Sequence, residues 1–98
     1  MTYLIRYSSE SLKFLEKLPA PIAKRIFDSI SELGKFDRNE LMDRNFEPLK
    51  GRISGILFYK HRIGPYRAIC QIVEEEDVIF IALIGHRKSV YKIIHDKL

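Results

Sequence analysis

The chain has few of the residues that mark secreted or metal-binding proteins. It contains one cysteine among 98 residues, Cys70, so no internal disulfide can form. Cys70 lies in an apolar stretch, where we expect a buried, reduced thiol of the kind found in cytosolic proteins. The three histidines are scattered and give no metal-ligand spacing with this cysteine. We therefore expect neither a disulfide framework nor a metal site.

Long apolar runs are also missing. No stretch is long enough to span a membrane, and the N-terminal region, with Arg6 and the polar segment 8–11, matches no signal peptide. The hydrophobic content of 46% is sufficient for one core and argues against disorder. We expect a single domain over residues 1–98, located in the cytoplasm and without membrane contact.

Acidic residues are absent from the first part of the C-terminal half of the chain. The segment 50–67 contains only basic charges: Lys50, Arg52, Lys60, Arg62 and Arg67. A second basic segment covers residues 87–97, with Asp96 as its only acid. The acidic side chains collect elsewhere, over residues 37–47 and in the run 74–77. With a net charge of +4, this separation indicates an anionic partner, either a nucleic acid or an acidic protein.

The N-terminal half predicts one strand and two helices. Residues 2–7 are β-branched and aromatic, which is typical of a strand. Residues 8–34 carry two sets of apolar side chains at helical spacing, separated by a Pro-Ala-Pro sequence, and Gly34 ends the second set. Residues 35–52 are polar and irregular, with one short helical turn, and Leu49 is expected to insert into the core. This half is therefore a strand followed by a helical hairpin.

The C-terminal half predicts three strands, over residues 55–62, 66–73 and 78–85. Short turns connect them, so an antiparallel meander follows. The last run is apolar on both faces and should be central and covered on both sides. A short helix over residues 88–98 can complete the domain. The expected class is α+β, with the N-terminal strand and the meander forming an antiparallel sheet packed on the helical hairpin, in the order β-α-α-β-β-β.

Strand alternation brings basic side chains together. Lys60 and Arg62 share one face of the first meander strand. In the next strand, the small apolar Ala68 and Cys70 suit the helix-covered face, so Arg67 points to the other face, beside Lys60 and Arg62. Like charges on adjacent strands are destabilising. The cluster therefore indicates an anion-binding face, although a solvated basic face without a role would show the same charges.

Three motifs, in this order, resemble the RelE/ParE superfamily of bacterial and archaeal toxins. They are LKG at 49–51, YKHRIGPYRAICQI at 59–72 and IALIGHRKSVY at 81–91. The order of one strand, two helices and three strands is similar over the whole chain. The resemblance implies a toxin of a type II toxin–antitoxin system. It also implies a RelB-like antitoxin as partner in a hetero-oligomer.

RelE-like members of this superfamily act on the ribosome. The resemblance therefore implies an endoribonuclease that contacts mRNA and rRNA, cleaves the mRNA in the A site and inhibits translation, without a metal or cofactor. The 2′-hydroxyl would attack the adjacent phosphate and give a cyclic phosphate. By position, the resemblance assigns catalysis to Lys60, Arg67, Arg87 and Tyr91. Further substrate-binding candidates are the basic residues Arg62, Lys50, Arg52 and Lys88.

The residue types fit this chemistry. Arginine binds phosphate through a planar, permanently charged fork, so Arg67 is assigned to the phosphate and Arg87 to the phosphate or the leaving group. Tyr91 or Lys60 is the expected general base, because nearby cations favour the deprotonated form of both side chains. The best-known member has a lysine where this chain has Phe58, so the choice between the two bases stays open.

Two other functions remain open from the sequence. ParE-like members share the fold, inhibit DNA gyrase and generally lack the RelE-type catalytic set. The retained catalytic set favours a nuclease, and Phe58 favours the gyrase inhibitor. A basic protein that binds nucleic acid without cleaving it would show a steep salt dependence. His86 is a weaker acid–base candidate because alternation places it on the face opposite Arg87, and Tyr66 is read as hairpin packing or as a platform for a base.

Overall fold

The computed structural model describes residues 2–97, apart from the side chain of residue 97. Its strands are β1 (Leu4–Tyr7), β2 (Phe46–Pro48), β3 (Tyr59–Ile63), β4 (Tyr66–Val73) and β5 (Val78–His86). Its helices are α1 (Ser9–Glu16), α2 (Ala20–Leu33), α3 (Arg38–Leu41) and α4 (Val90–Lys97). A 3₁₀ turn, Glu74–Glu76, joins β4 to β5. No helix in the described range is long and apolar enough to cross a membrane.

The helical hairpin begins and ends where the sequence predicts. The Ser8 hydroxyl accepts a hydrogen bond from the backbone N–H of Ser11 at 3.0 Å and so caps α1. Gly34 follows the last residue of α2 and lies against the start of the chain: a Cβ added there would approach the carbonyl oxygen of Tyr3 to 2.7 Å. Only glycine therefore lets β1 pass this close to the end of α2.

The strands form one sheet in the order β1-β5-β4-β3-β2. The meander β3–β4–β5 is antiparallel, and the α+β class is confirmed. The expectation of a wholly antiparallel sheet is corrected at β1, which pairs parallel to β5, with Leu4 opposite Val78 and Tyr7 opposite Ile81. A tight turn fixes the direction of a neighbouring strand, but β1 and β5 are separated by most of the chain, so loop length gives no such constraint.

A fifth strand, β2, was not expected from the sequence. It has three residues, and it pairs antiparallel with the outer edge of β3. Pro48 lowers its strand signal, since proline lacks a backbone donor and is tolerated in sheets mainly at edges. The short helix α3 lies in the predicted irregular segment and agrees with the single helical turn expected there.

Apolar side chains cover both faces of the sheet. The larger core joins α2 to the sheet through Ile26, Ile30, Leu33, Ala68, Cys70, Ile79, Ile81 and Ile84. The smaller core lies under α4 and contains Phe58, Ile69, Leu83, Val90 and Ile94, with the half-buried Leu49 beside it. As predicted, β5 is paired on both edges and covered on both faces. Cys70 is fully buried, and burial raises the pKa of its thiol, which leaves it unreactive.

Candidate functional site

The predicted basic face is present on the side of the sheet opposite α1 and α2. Lys60 and Arg62 project from β3, and Arg67 projects from β4. Arg62 and Arg67 are direct cross-strand partners, while Lys60 lies opposite the buried Ile69. Two arginines at facing positions concentrate positive charge at this end of the face, where an anion can bind.

Glu47 is the site residue that the sequence analysis missed. β2 places it directly opposite Lys60, and its Oε1 lies 3.3 Å from Lys60 Nζ and 3.4 Å from Arg62 Nη2. The hydrogen bond from Lys60, with the charge of Arg62, holds the pKa of Glu47 below its usual value. The expectation of a cation cluster without acids is therefore wrong, because the fold brings Glu47 next to Lys60 and Arg62. The segment around Glu47 carries no strand pattern that could have revealed this contact.

Tyr91 reaches the basic face from α4. Lys60 Nζ lies 5.8 Å from the centroid of the Tyr91 ring, within the range of a cation–π contact. The preceding residue, Val90, packs directly on β5: a Cβ added at Gly85 would lie 3.2 Å from Val90 Cβ. The missing side chain at Gly85 thus lets α4 begin close to the sheet, which brings Tyr91 towards Lys60.

Arg67 and Arg87 lie at the tip of the β3–β4 hairpin. Arg67 is half-buried, and its Nη1 donates to the carbonyl oxygens of Gly64 (2.9 Å) and Tyr66 (2.8 Å). The backbone N–H of Arg87 donates to the Pro65 carbonyl at 2.8 Å, and its side chain is exposed. Gly85 is the cross-strand partner of Arg67, and Arg87 follows two residues later in the turn after β5, beside the same hairpin tip.

The four predicted catalytic residues therefore form two groups. Lys60 and Tyr91 are close together, and Arg67 and Arg87 share the hairpin tip. Among the described residues, no side-chain contact joins the two groups. Arg62 lies between them, because it shares Glu47 with Lys60 and faces Arg67 across the strands.

The remaining substrate-binding candidates divide in the same way. Lys50 and Arg52 line a groove of about 320 Å³ beside Tyr91. Arg52 Nη1 also donates to the carbonyl of Gly55 at 3.3 Å. Lys88 does not line this groove; it is exposed in the turn after β5. The structure therefore brings Lys50 and Arg52 to Tyr91 and leaves Lys88 apart.

Phe58 occupies the position where the best-known superfamily member has a lysine. Only 4% of its surface is exposed, and it packs in the small core beneath α4. A lysine here would place a charge in an apolar cluster, at a large desolvation cost. In this chain Phe58 adds no cation. It packs against α4 and so helps to hold Tyr91 in position.

His86 and Tyr66 lie on the opposite face, as alternation predicts for His86. Their rings meet edge to face with centroids 6.0 Å apart, and Tyr66 makes a similar contact with Phe14 at 6.0 Å. These contacts support the packing interpretation of Tyr66. The register pairs His86 with Tyr66, so His86 lies on the face opposite Arg67.

His61 is a buried polar residue outside the basic face. Its Nε2 lies 2.9 Å from the Ser29 hydroxyl, and its Nδ1 lies 3.0 Å from the Asn45 carbonyl oxygen. A carbonyl only accepts, so Nδ1 carries the proton and donates, and Nε2 accepts from Ser29 in the neutral ring. Burial lowers the pKa of His61, against the opposing effect of its backbone hydrogen bonds.

The free energy of unfolding is expected to decrease as the pH is lowered below neutrality, because of His61. The unfolded chain takes up a proton near its ordinary pKa of about 6.5, whereas folded His61 resists protonation. The contribution of His61 is therefore fully present above that value and is lost as the pH falls, at up to about 1.4 kcal/mol per pH unit. Urea unfolding between pH 7.5 and 5 measures it. His61→Gln should flatten this slope, whereas His95→Gln, at an exposed position, should keep it; equal slopes in both variants would contradict the assignment.

Within residues 2–97, no group of three or more histidine, cysteine or acidic side chains is arranged to hold a metal ion. Glu47, an acidic residue at the basic face, forms ion pairs with Lys60 and Arg62. The chemistry available at this face is therefore that of fixed cations, one carboxylate and one phenol.

Comparison with known proteins identifies the family. The family model of the ParE toxin of the type II toxin–antitoxin system parDE matches residues 5–91. No curated protein sequence matched the chain. The fold is similar to the archaeal RelE–RelB complex from Pyrococcus horikoshii, at 24% identity over 89% of this chain and 97% of that chain, with a TM-score of 0.68.

Two further solved structures are similar. The RelB–RelE complex from Methanococcus jannaschii is 26% identical over 88% of this chain and 94% of that chain, with a TM-score of 0.63. The isolated RelE toxin from E. coli is 22% identical over 97% of each chain, with a TM-score of 0.66. With the family match over nearly the whole sequence, the chain belongs to the ParE toxin family of type II toxin–antitoxin systems, within the RelE/ParE superfamily.

Proposed function

We propose that this toxin is a ribosome-dependent endoribonuclease that cleaves mRNA in the A site and thereby inhibits translation. The observation that carries the proposal is the placement of Lys60 and Arg67 on one face of the sheet, with Lys60 Nζ 5.8 Å from the Tyr91 ring and Arg87 at the tip of the β3–β4 hairpin. A toxin that acts only by binding a protein has no need of this combination of phosphate-binding and proton-transferring groups.

The proposed reaction is an internal attack within the RNA. The 2′-oxygen bonds to the adjacent phosphorus while the bond from phosphorus to the 5′-oxygen breaks, which leaves a 2′,3′-cyclic phosphate. The 2′-hydroxyl proton passes to a base, and the departing 5′-oxygen takes up a proton from an acid. Arg67 and Arg87 bind the phosphate oxygens, whose negative charge grows in the transition state.

Glu47 changes how the proton transfers can be assigned. In its ion pair Lys60 is an ammonium, which is a proton donor, and Glu47 is a carboxylate, which is an acceptor. The lowered pKa of Glu47 makes it a weaker base but keeps it ionised at neutral pH. Tyr91 and Glu47 therefore flank Lys60 as candidates to accept the 2′-hydroxyl proton, with Lys60 placed to protonate the leaving oxygen.

Removal of either Lys60 or Tyr91 is expected to slow cleavage strongly. Lys60→Ala and Tyr91→Phe should each lower the single-turnover rate by about 100-fold, the usual loss for a positioned acid or base. The measurement is a pH–rate profile on mRNA bound to programmed ribosomes. The variant that lacks the base should lose the rise of rate with pH, and Glu47→Gln should show whether the carboxylate or the phenol has that role.

Controls for these variants come from the same side-chain types elsewhere in the fold. Lys24→Ala removes an exposed lysine paired with Asp28, and Tyr66→Phe alters a phenol on the opposite face. Both should cleave at the wild-type rate. If Lys60→Ala and Tyr91→Phe also do so, the acid–base assignment is wrong, although the phosphate-binding role of the arginines could still be correct.

A RelB-like antitoxin is the proposed partner, in a hetero-oligomer that silences the toxin. Two of the similar structures are complexes of RelE with RelB. Since the proposed substrate is mRNA on ribosomes together with the surrounding rRNA, we place the toxin in the cytoplasm. Co-expression with its RelB-like antitoxin should relieve growth inhibition by this chain.

The experiment that tests the proposed function is primer extension on a defined mRNA. Cleavage within the A-site codon, seen with programmed ribosomes and absent without them, is the expected result. If this chain leaves the mRNA intact while a control toxin cleaves it in a parallel reaction, the nuclease function is rejected.

A gyrase inhibitor without nuclease activity is the second candidate, because the matching family model is that of ParE toxins. The replacement of a usual lysine by the buried Phe58 is consistent with it. A supercoiling assay with purified gyrase separates the two candidates. Inhibition of gyrase together with intact mRNA would support the ParE-like function, whereas RNA binding with neither effect would leave a binding-only protein.

A further inference from the structure

His61 connects three parts of the fold through its two ring nitrogens. It belongs to β3; its Nε2 accepts from the hydroxyl of Ser29 on α2, and its Nδ1 donates to the carbonyl oxygen of Asn45, the residue before β2. The side chain is 4% exposed, and its cross-strand partner Ala68 lies in the core under α2. Since buried polar groups need partners, these two hydrogen bonds fix the ring in one orientation. His61 is therefore a rigid link between α2 and the start of β2.

The chain enters β2 through an unusual backbone conformation. Asn45 is left-handed, with a φ of 55°. A residue with a Cβ adopts this conformation at a cost, which asparagine tolerates better than most residues. Besides the bond from His61, the Asn45 carbonyl accepts a hydrogen bond from the backbone N–H of Arg62 at 2.9 Å. Two donors from β3 thus hold this carbonyl just before β2 begins.

The direction of this turn decides where the side chains of β2 point. β2 has three residues and lies at the edge of the sheet, next to β3. Phe46 points into the core, where it is 1% exposed and stacks on Tyr59 with ring centroids 5.0 Å apart. Successive side chains of a strand point to opposite faces, so Glu47 turns to the basic face. There its carboxylate lies beside Lys60 and Arg62.

Packing around this link is incomplete. An open cavity of about 340 Å³ lies between α2 and the segment before β2, and His61 forms part of its wall. Charged side chains of both signs also line it: Glu32, Asp43, Arg44 and Arg62. Arg44 crosses towards α2 by lying over the ring of Phe36 at 4.2 Å. Because no continuous apolar packing fills this space, the hydrogen bonds of His61 carry more of the connection than they would in a close-packed core.

We propose that His61 is a positioning residue of the basic face: by holding the Asn45 carbonyl it fixes the start of β2 and keeps the Glu47 carboxylate beside its two cations. The ring of His61 faces the helical hairpin, so it acts through β2 and does not touch the reacting groups. Its effect on the carboxylate is a property of the free toxin. Any effect on cleavage rests on the proposed function.

Two amide substitutions separate the roles of the two ring nitrogens. The side-chain NH₂ of asparagine reaches the place of Nδ1, so His61→Asn keeps a donor for the Asn45 carbonyl and loses the contact with Ser29. The longer glutamine reaches the place of Nε2, so His61→Gln keeps the contact with Ser29 and loses this donor. Each variant loses one hydrogen bond at the same buried position. A purely structural role of His61 would therefore affect both variants alike.

The first measurement follows the Glu47 carboxyl group by NMR as a function of pH in the free toxin. In the wild type, the hydrogen bond from Lys60 and the charge of Arg62 hold the pKa of Glu47 below its usual value. His61→Asn should keep this low pKa. His61→Gln should raise it towards the ordinary value of a glutamate, because the carboxylate moves away from its two cations. Equal pKa values of Glu47 in the two variants would overturn the proposal.

Amide hydrogen exchange shows whether the effect is local. The Arg62 amide, which is bonded to the Asn45 carbonyl, should exchange at least about tenfold faster in His61→Gln than in His61→Asn. The Arg87 amide, which is bonded to the Pro65 carbonyl at the hairpin tip, should exchange equally in both variants. If both amides instead exchange faster by the same factor in His61→Gln, the substitution lowers stability in general and the positioning role is rejected.

Cleavage on programmed ribosomes connects the inference to function. His61→Gln should lower the single-turnover rate about 10- to 100-fold, the usual range for a displaced group near the reaction, whereas His61→Asn should cleave like the wild type. Equal rates of the two variants, with a wild type that cleaves, would contradict the proposal. If the wild type leaves the mRNA intact while the pKa of Glu47 responds as expected, the nuclease function fails and the positioning role of His61 stands.

Discussion

Loss of both hairpin arginines is expected to abolish A-site cleavage. Each of Arg67→Ala and Arg87→Ala removes a cationic donor that we propose binds the phosphate, and loss of one such donor typically costs about 2.7–4 kcal/mol in the barrier, or about 100- to 1,000-fold in rate. The double variant should therefore fall to background in primer extension with programmed ribosomes. Arg62 cannot replace them fully, because Glu47 shares its charge.

A matched control is available because other arginines lie away from this face. Arg6 pairs with Glu76 at the other edge of the sheet, and Arg25 is exposed on α2. The double variant Arg6→Ala with Arg25→Ala lowers the net charge equally and should cleave normally. Arg67 also binds the hairpin backbone, so the melting temperature of each variant must be compared with the wild type. Cleavage that persists in a folded Arg67→Ala, Arg87→Ala variant would remove these residues from the mechanism.

Phe58→Ala is expected to cost about 3–5 kcal/mol of unfolding free energy, as for other buried phenylalanines. Phe58 is 4% exposed and forms the small core together with Val90 and Ile94 of α4. The cavity left by the substitution would loosen α4 and move Tyr91 from Lys60, so cleavage should fall together with stability. Urea unfolding measures the free energy, and limited proteolysis reports release of α4.

Two further variants distinguish a local effect from general unfolding. Phe27 is 49% exposed and stacks on Tyr7, so Phe27→Ala should cost much less. Phe58→Leu keeps an apolar side chain and should lose less than about 1.5 kcal/mol and keep α4 in place. If Phe58→Ala leaves α4 protected and the stability unchanged, Phe58 does not have the supporting role that we assign to it.

The placement of the basic side chains follows from local patterns. Alternation along β3 and β4 puts Lys60, Arg62 and Arg67 on one face, and the structure agrees. It also separates His86 from Arg67, because His86 is paired with Tyr66 and neighbouring residues of a strand point to opposite faces. The same local rules predict the helical hairpin, since Ser8 provides an N-terminal cap and Gly34 ends the second helix.

Contacts between distant segments could not be read in this way. The direction of β1 depends on packing across most of the chain, and β2 is too short and contains Pro48, so it has no strand pattern. The position of Glu47 opposite Lys60 follows from β2 alone and was missed with it.

The sequence by itself determined the α+β class, the two helices, the meander and the face on which the cations lie, because these depend on side-chain period and turn residues within a few positions. Only the tertiary structure decided that Glu47 pairs with Lys60 and Arg62 and that α4 lies beside them. Docking of α4 over Phe58 brings Tyr91 to Lys60 and opens the groove with Lys50 and Arg52. The physical reason is that such contacts are selected by the packing of whole elements, which no local pattern records.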